Sequence, residues 1–175
     1  RTWPGRERLY PELAAFLDRV LDRLPDGEVI LVPMEGELDR AAAEELVGYL
    51  ARPRVRVLSV QDDPADLEAL VAGSWLAVGM RLHFLLFAAR AGVPVLALNY
   101  DPKVAGAMAR LGMSRYVFEL DRVRAADLLA AFDELVARYD EVSGALRRAA
   151  AELAAPAAAN LDYVDAAAAR ALGVV

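Results

Sequence analysis

Short runs rich in valine, isoleucine and leucine alternate along the chain with longer stretches whose apolar residues recur every three or four positions. LYPELAAFLDRVLDRL, Leu9 to Leu24, has helical spacing and is stopped by Pro25, Asp26 and Gly27. EVILVPM reads as a buried strand ending at Pro33, and ELDRAAAEELVGYLA as an amphipathic helix. RVRVLSV is a second strand, and DDPADLEALVAG a helix with Asp63 as N-cap and Pro64 at its first position. SWLAVGM follows as a strand, then RLHFLLFAARAG as a helix closed by Gly92. VPVLALNY is the fourth strand, PKVAGAMARLG a helix ending at Gly112, YVFEL a fifth strand, and Ala125 to Arg138 a helix.

Near-continuous apolar strands separated by helices predict a parallel sheet covered on both faces. The fold class is therefore α/β: a five-stranded, Rossmann-like open parallel sheet flanked by helices, with right-handed crossovers. Beyond Asp140 the chain is alanine-rich, and residues 141–175 read as a helical tail in two pieces. It is long enough to pack across the sheet or onto a neighbouring domain. No repeat or linker divides the sequence, so residues 1–175 read as one domain.

Composition narrows the function by exclusion. A chain of 175 residues, 57% hydrophobic, can bury a substantial core. A net charge of -6 with no basic arm gives no general attraction to nucleic acid. Without cysteine there are no disulfides, thiolate metal sites or cysteine nucleophiles, and a single histidine excludes a His-rich metal site. No apolar run reaches the roughly 18 to 20 residues of a membrane span, and no signal peptide opens the chain. These features lead us to expect a soluble, cytoplasmic domain. The chain begins with Arg1 rather than Met, so a longer parent protein is expected. Arginine supplies nearly all of the 20 basic residues, as a genome-wide coding bias would, and Lys103 is the sole lysine.

Ligands of open α/β sheets bind at the carboxyl ends of the strands. That rule selects Met34 to Asp39, Ser59 to Asp63, Arg81 with His83, Asn99 to Lys103, and Glu119 to Asp121. Arg81 and His83 follow Gly79 and Met80 at a predicted helix start, where free N–H groups, the helix dipole and a guanidinium suit an anion. The same residues also fit a structural part, with Arg81 paired to an acidic loop and His83 hydrogen-bonded in the core. Lys103, in NYDPKV, offers either a mobile point charge for an anion or an ordinary exposed lysine. Glu35, Glu37 and Asp39 in VPMEGELD are expected to be a solvated loop capping the next helix rather than catalytic carboxylates. Trp75, Phe84 and Phe87 are expected in the core. GxGxxG, GxxxxGK[ST] and GxSxG are all absent.

VGMRLHFLLFAARAGVPVLALNYDPKVAGAMARLGM closely resembles the signature region of the polysaccharide pyruvyl transferase family. The similarity is greatest to the bacterial branch that attaches pyruvate ketals to cell-wall polymers. ILVPMEGELDRAAAEELVGYL resembles the family's proline-ended strand leading through an aspartate into a helix, with Glu35 and Gly36 departing from that pattern. RTWPG resembles the linker into the family's second domain. The resemblance runs over about residues 1 to 140, with its specific core at 78 to 112.

It implies the C-terminal half of a two-domain, GT-B-like transferase, partnered by an N-terminal half. It further implies phosphoenolpyruvate as donor, no cofactor and no metal, with Arg81, Leu82, His83 and Lys103 binding the donor. His83 and Lys103 would be catalytic, since an imidazole exchanges protons near neutral pH and an ammonium can neutralise departing phosphate. The other implied partner is a lipid-linked or polymeric amino-sugar acceptor, met in the cytoplasm or at the inner face of the membrane. Two rivals stand beside this expectation: a nucleotide-sugar glycosyltransferase, with Glu119 as a candidate ligand, and a non-catalytic module binding through the alanine-rich tail.

Overall fold

The computed structural model describes residues 5–51, 53–58 and 64–154. Its first half runs α1 (Arg6–Arg23), β1 (Val29–Leu31), α2 (Gly36–Val47), β2 (Val55–Val57) and α3 (Pro64–Ala72). Its second half runs β3 (Ala77–Gly79), α4 (Leu82–Ala91), β4 (Val95–Asn99), α5 (Pro102–Arg110), a 3-10 turn, β5 (Val117–Glu119) and α6 (Ala125–Ala137). A last helix, α7, occupies residues 139–154. Ser59 to Asp63, with the N-cap assigned to Asp63, and the second piece of the tail lie outside the described residues.

The predicted alternation is present and every paired strand is parallel. One expectation needs correcting: among the described residues the five strands do not form one continuous sheet. β1 pairs with β2, while β4 is flanked by β3 and β5 in a separate three-stranded sheet. β1 and β3 share no ladder, and both contribute to an apolar cavity of about 440 Å³, lined by Val29, Ile30 and Leu31 of β1 and by Ala77 and Val78 of β3.

VLALN forms the centre of the molecule because it is apolar enough to be covered on both sides; all five β4 positions are buried. α4 and α5 pack against β4, and so does α6, which also meets α1. Leu85, Leu96, Val104, Met108 and Leu128 fill the core around it. The local stops behave as their chemistry requires. Gly92 closes α4 in the left-handed region at φ 74°, where a Cβ would be strained. Asp101 caps α5 by accepting the Lys103 N–H at 2.9 Å, with Pro102 opening the helix.

Several arginines have structural tasks that a coding bias does not suggest. Arg54 donates to the carbonyls of Leu21, Leu24, Pro25 and Gly27 at 2.6 to 2.7 Å, tying the end of α1 to β2. Arg8 donates to the carbonyls of Leu120 and Val123, while Glu12 accepts the Ala125 N–H. Trp75 is also unlike its core expectation. It is 40% exposed and stacks on Tyr139 with ring centroids 5.3 Å apart. Phe84 and Phe87 pack half-buried against the core. No helix among the described residues is long and apolar enough to cross a membrane.

Candidate functional site

Parallel register brings the ends of three strands to one edge: Gly79 pairs with Ala97, Ala97 with Val117, and Asn99 with Glu119. Two helices start directly beyond that edge, α4 after β3 and α5 after β4. Their N-termini therefore sit over neighbouring strands, bringing Arg81, Leu82, His83 and Lys103 to the same side of the sheet.

Arg81 is the N-cap of α4, with extended backbone (φ -80°, ψ 123°) and no side-chain cap of its own. Its guanidinium reaches to the turn after β1. Nη2 donates to Asp39 Oδ1 at 2.7 Å, and Nη1 lies 2.7 Å from Glu35 Oε2. Asp39 is itself fixed, because its Oδ2 accepts the N–H groups of Met34 at 3.2 Å and Glu35 at 3.0 Å. Gly36, at φ 57°, makes that turn possible. The hydrogen bond that Arg81 donates to Asp39 holds its pKa above its ordinary value, opposed by burial and helped by the charges of Asp39 and Glu35 and by the nearby Tyr100 phenol. Arg81 is thus a permanent cation that bridges the two sheets and keeps part of its surface open. Of the two roles left open for it, this geometry realises the pairing with an acidic loop.

His83 is exposed in the first turn of α4, so the core-histidine alternative does not hold. Leu82, beside it, packs partly against the core. Lys103 is exposed, its Nζ 3.4 Å from Asp101 Oδ2. The Lys103 backbone N–H and then its ammonium keep the Asp101 carboxyl below its ordinary range. The edge therefore carries two cations, Arg81 held by Asp39 and Glu35 and Lys103 by Asp101, with an exposed imidazole between them in chain order. Glu37 is solvent-exposed, as expected of a solvated loop.

Sequence reading gave Asn99 and Tyr100 no individual role. Asn99 is 8% exposed, and its Nδ2 donates to Glu119 Oε1 at 2.8 Å. Its Oδ1 is buried with no hydrogen-bond partner. Asn99 and Glu119 line a cavity of about 360 Å³ with Tyr100, Asp101, Pro102, Leu120 and Asp121. The only sequence-level signal was position, since both residues end adjacent strands. Among the described residues no three His, Cys, Asp or Glu side chains come together as a metal site.

The profile of the family described as polysaccharide pyruvyl transferase matches residues 2–102. This is shorter than the roughly 140 residues expected; it includes Arg81, Leu82 and His83 and stops one residue before Lys103. The chain is 28% identical over 112 residues to the amylovoran biosynthesis protein AmsJ of Erwinia amylovora, an alignment covering 63% of this chain and 27% of that protein. It thus spans about a quarter of that relative's length. No solved structure matches. With more than half its length matched by one family, including the helix start that carries Arg81 and His83, the chain belongs to the polysaccharide pyruvyl transferases.

Proposed function

We propose that this chain supplies the phosphoenolpyruvate-binding part of an enzyme that forms a pyruvate ketal on a polysaccharide or lipid-linked sugar. The observation that carries this reading is the cluster at the start of α4. A half-open guanidinium, an uncapped helix N-terminus and an exposed imidazole meet there at the carboxyl edge of a parallel sheet. Arg81 offers bidentate N–H donors to a carboxylate or phosphate, and the Leu82 and His83 amides face the same anion. Lys103, starting the next helix, supplies a second positive charge.

In the proposed reaction the donor's methylene carbon takes a proton and the adjacent carbon becomes oxocarbenium-like. One acceptor hydroxyl attacks that carbon and loses its proton. A second hydroxyl then displaces the phosphate, closing the ketal and losing its own proton. His83 is the group at the edge suited to move these protons, and Lys103 the one suited to meet the departing phosphate. Reaction occurs at the inner face of the membrane if the acceptor is lipid-linked. The N-terminal half of the parent protein completes the site.

The decisive measurement is phosphate release from phosphoenolpyruvate by the complete protein, with and without a lipid-linked amino-sugar acceptor. Acceptor-dependent release is expected, and His83→Ala should lower turnover by about 10²- to 10⁴-fold. Absence of phosphoenolpyruvate binding would overturn the donor assignment, and near-normal turnover in His83→Ala would overturn the role of His83.

A further inference from the structure

We propose that the two carboxylates on Arg81 have opposite tasks. Asp39 is the positioning residue that aims the guanidinium, and Glu35 is an internal stand-in that an incoming anion displaces. Naming that anion as phosphoenolpyruvate rests on the function proposed above; the hold of Asp39 on Arg81 does not.

Asp39 is held on both sides. Its side chain is 24% exposed; Oδ1 accepts from Arg81 Nη2 at 2.7 Å, and Oδ2 accepts the N–H groups of Met34 and Glu35. The turn that presents it passes through Gly36 at φ 57° into α2, which packs on α1 and β2. A short carboxylate with fixed donors on both oxygens has little freedom to leave. It thus fixes one edge of a long, otherwise flexible side chain, so that Arg81 offers its remaining donors already oriented.

Glu35 differs in each respect. It is 74% exposed, its side chain makes no cap for α2, and its Oε2 lies 2.7 Å from Arg81 Nη1. An exposed pair of this kind contributes little to stability, because water and salt compete for both partners. What Glu35 does is occupy the donor that a carboxylate or phosphate ligand takes. A free ligand is not tethered to α2, so it can also settle against the N–H groups of α4 that the Arg81 side chain leaves uncapped.

The two tasks separate by sign. By charge alone, removing either carboxylate favours an anion at Arg81. Glu35→Gln follows that trend, because it removes a competitor and leaves the grip of Asp39 intact. Asp39→Asn runs against it. An amide has one accepting oxygen and one donating nitrogen, so it cannot accept from the guanidinium and from the two backbone N–H groups together. Its nitrogen must face one set of donors, and the guanidinium loses its aim.

The test pairs two measurements. Phosphoenolpyruvate and inorganic phosphate are titrated into the complete protein at low salt, and the Arg81 guanidinium nitrogen resonances are followed in this chain, identified by their loss in Arg81→Lys. Glu35→Gln should tighten anion binding several-fold, whereas Asp39→Asn should weaken it at least tenfold. The two Nη resonances should be resolved in the parent and in Glu35→Gln, and should merge in Asp39→Asn as the freed guanidinium rotates. Asp39→Ser, which keeps an acceptor for the turn amides, takes the place of Asp39→Asn if that variant does not fold. The proposal is overturned if Asp39→Asn binds as tightly as the parent, if Glu35→Gln binds no more tightly, or if the Nη resonances stay resolved in Asp39→Asn. A parent that binds phosphate but not phosphoenolpyruvate removes the donor assignment, and the same opposite shifts read with phosphate then uphold or overturn the present proposal. A parent that binds neither anion overturns both.

Discussion

Two corners of the same sheet edge satisfy their polar atoms in opposite ways. At the β3 corner, Arg81 is held by Asp39 and Glu35, and Asp39 by two backbone amides, so an incoming anion must compete with carboxylates already in place. At the β4–β5 corner, Asn99 spends its amide on Glu119 and keeps a carbonyl oxygen with nothing to accept from. One corner is an ion-pair network that joins two sheets and keeps part of its guanidinium open; the other is built within one sheet and leaves a buried oxygen without a partner.

The largest expected effect is one that breaks both corners together. Leu96→Ala empties a fully buried position in β4 and should cost about 2 to 5 kcal/mol in chemical denaturation. Ile30→Ala, in the half-buried β1, should cost clearly less and disturb the Arg81 corner alone; equal losses would contradict the central role given to β4. Gly79→Ala acts on one corner selectively. Its Cβ would stand 2.6 Å from Phe84 Cδ1, so the ring and the start of α4 must shift, at about 1 to 3 kcal/mol. Its amide spectrum should change around Arg81 while the Asn99 corner stays put.

Smaller effects sharpen the contrast. Asn99→Leu removes the unpartnered oxygen, so its melting temperature should equal or exceed the parent's; a fall of more than about 4 °C, roughly 1 to 2 kcal/mol at this size, would show the amide to be structurally satisfied. Glu35→Gln should change stability by less than about 0.5 kcal/mol, because Glu35 is 74% exposed in its pair with Arg81. It should nevertheless tighten phosphate binding several-fold at low salt by removing a competing carboxylate, and unchanged affinity would show no competition.

The mildest effect concerns pH. Asp101 is held below its ordinary value of 3.8, first by the Lys103 N–H that it caps. A lowered carboxylate pKa means that its contribution is complete above 3.8 and is lost as pH falls through the lower native value. The acid limb of a melting-temperature profile should therefore flatten slightly in Asp101→Ala.

Features written in neighbouring residues were legible from the sequence. The α/β alternation, the Gly92 stop and the Asp101–Pro102 start follow from spacing, left-handed glycine and capping chemistry, all local. The division of the strands into two sheets was not legible, because apolar strand patterns carry no record of which strand edges meet. Trp75 read as core by hydrophobicity, yet it ends half-exposed against Tyr139, beyond any local window. Arg54 looked like one arginine among many, and only the converging carbonyls of the α1 terminus reveal its work.

The candidate site divides the same way. Strand-end logic selected Arg81, His83 and Lys103, and the family resemblance added Leu82. It left open whether Arg81 was already paired, since Asp39 lies 42 residues earlier in the chain. The bond between Asn99 and Glu119 depends on the β4–β5 register, which sets residues 20 positions apart side by side.

The clasp that Arg8 makes on the carbonyl of Leu120 spans 112 residues of chain. Leu120 also forms part of the wall around Asn99, so one side of that cavity is fastened to the opening helix of the protein. Contacts this distant along the chain close late, after nearer ones have already given up their freedom. The recess is thus a product of the finished fold, and its shape reports whether α1 has met the end of β5.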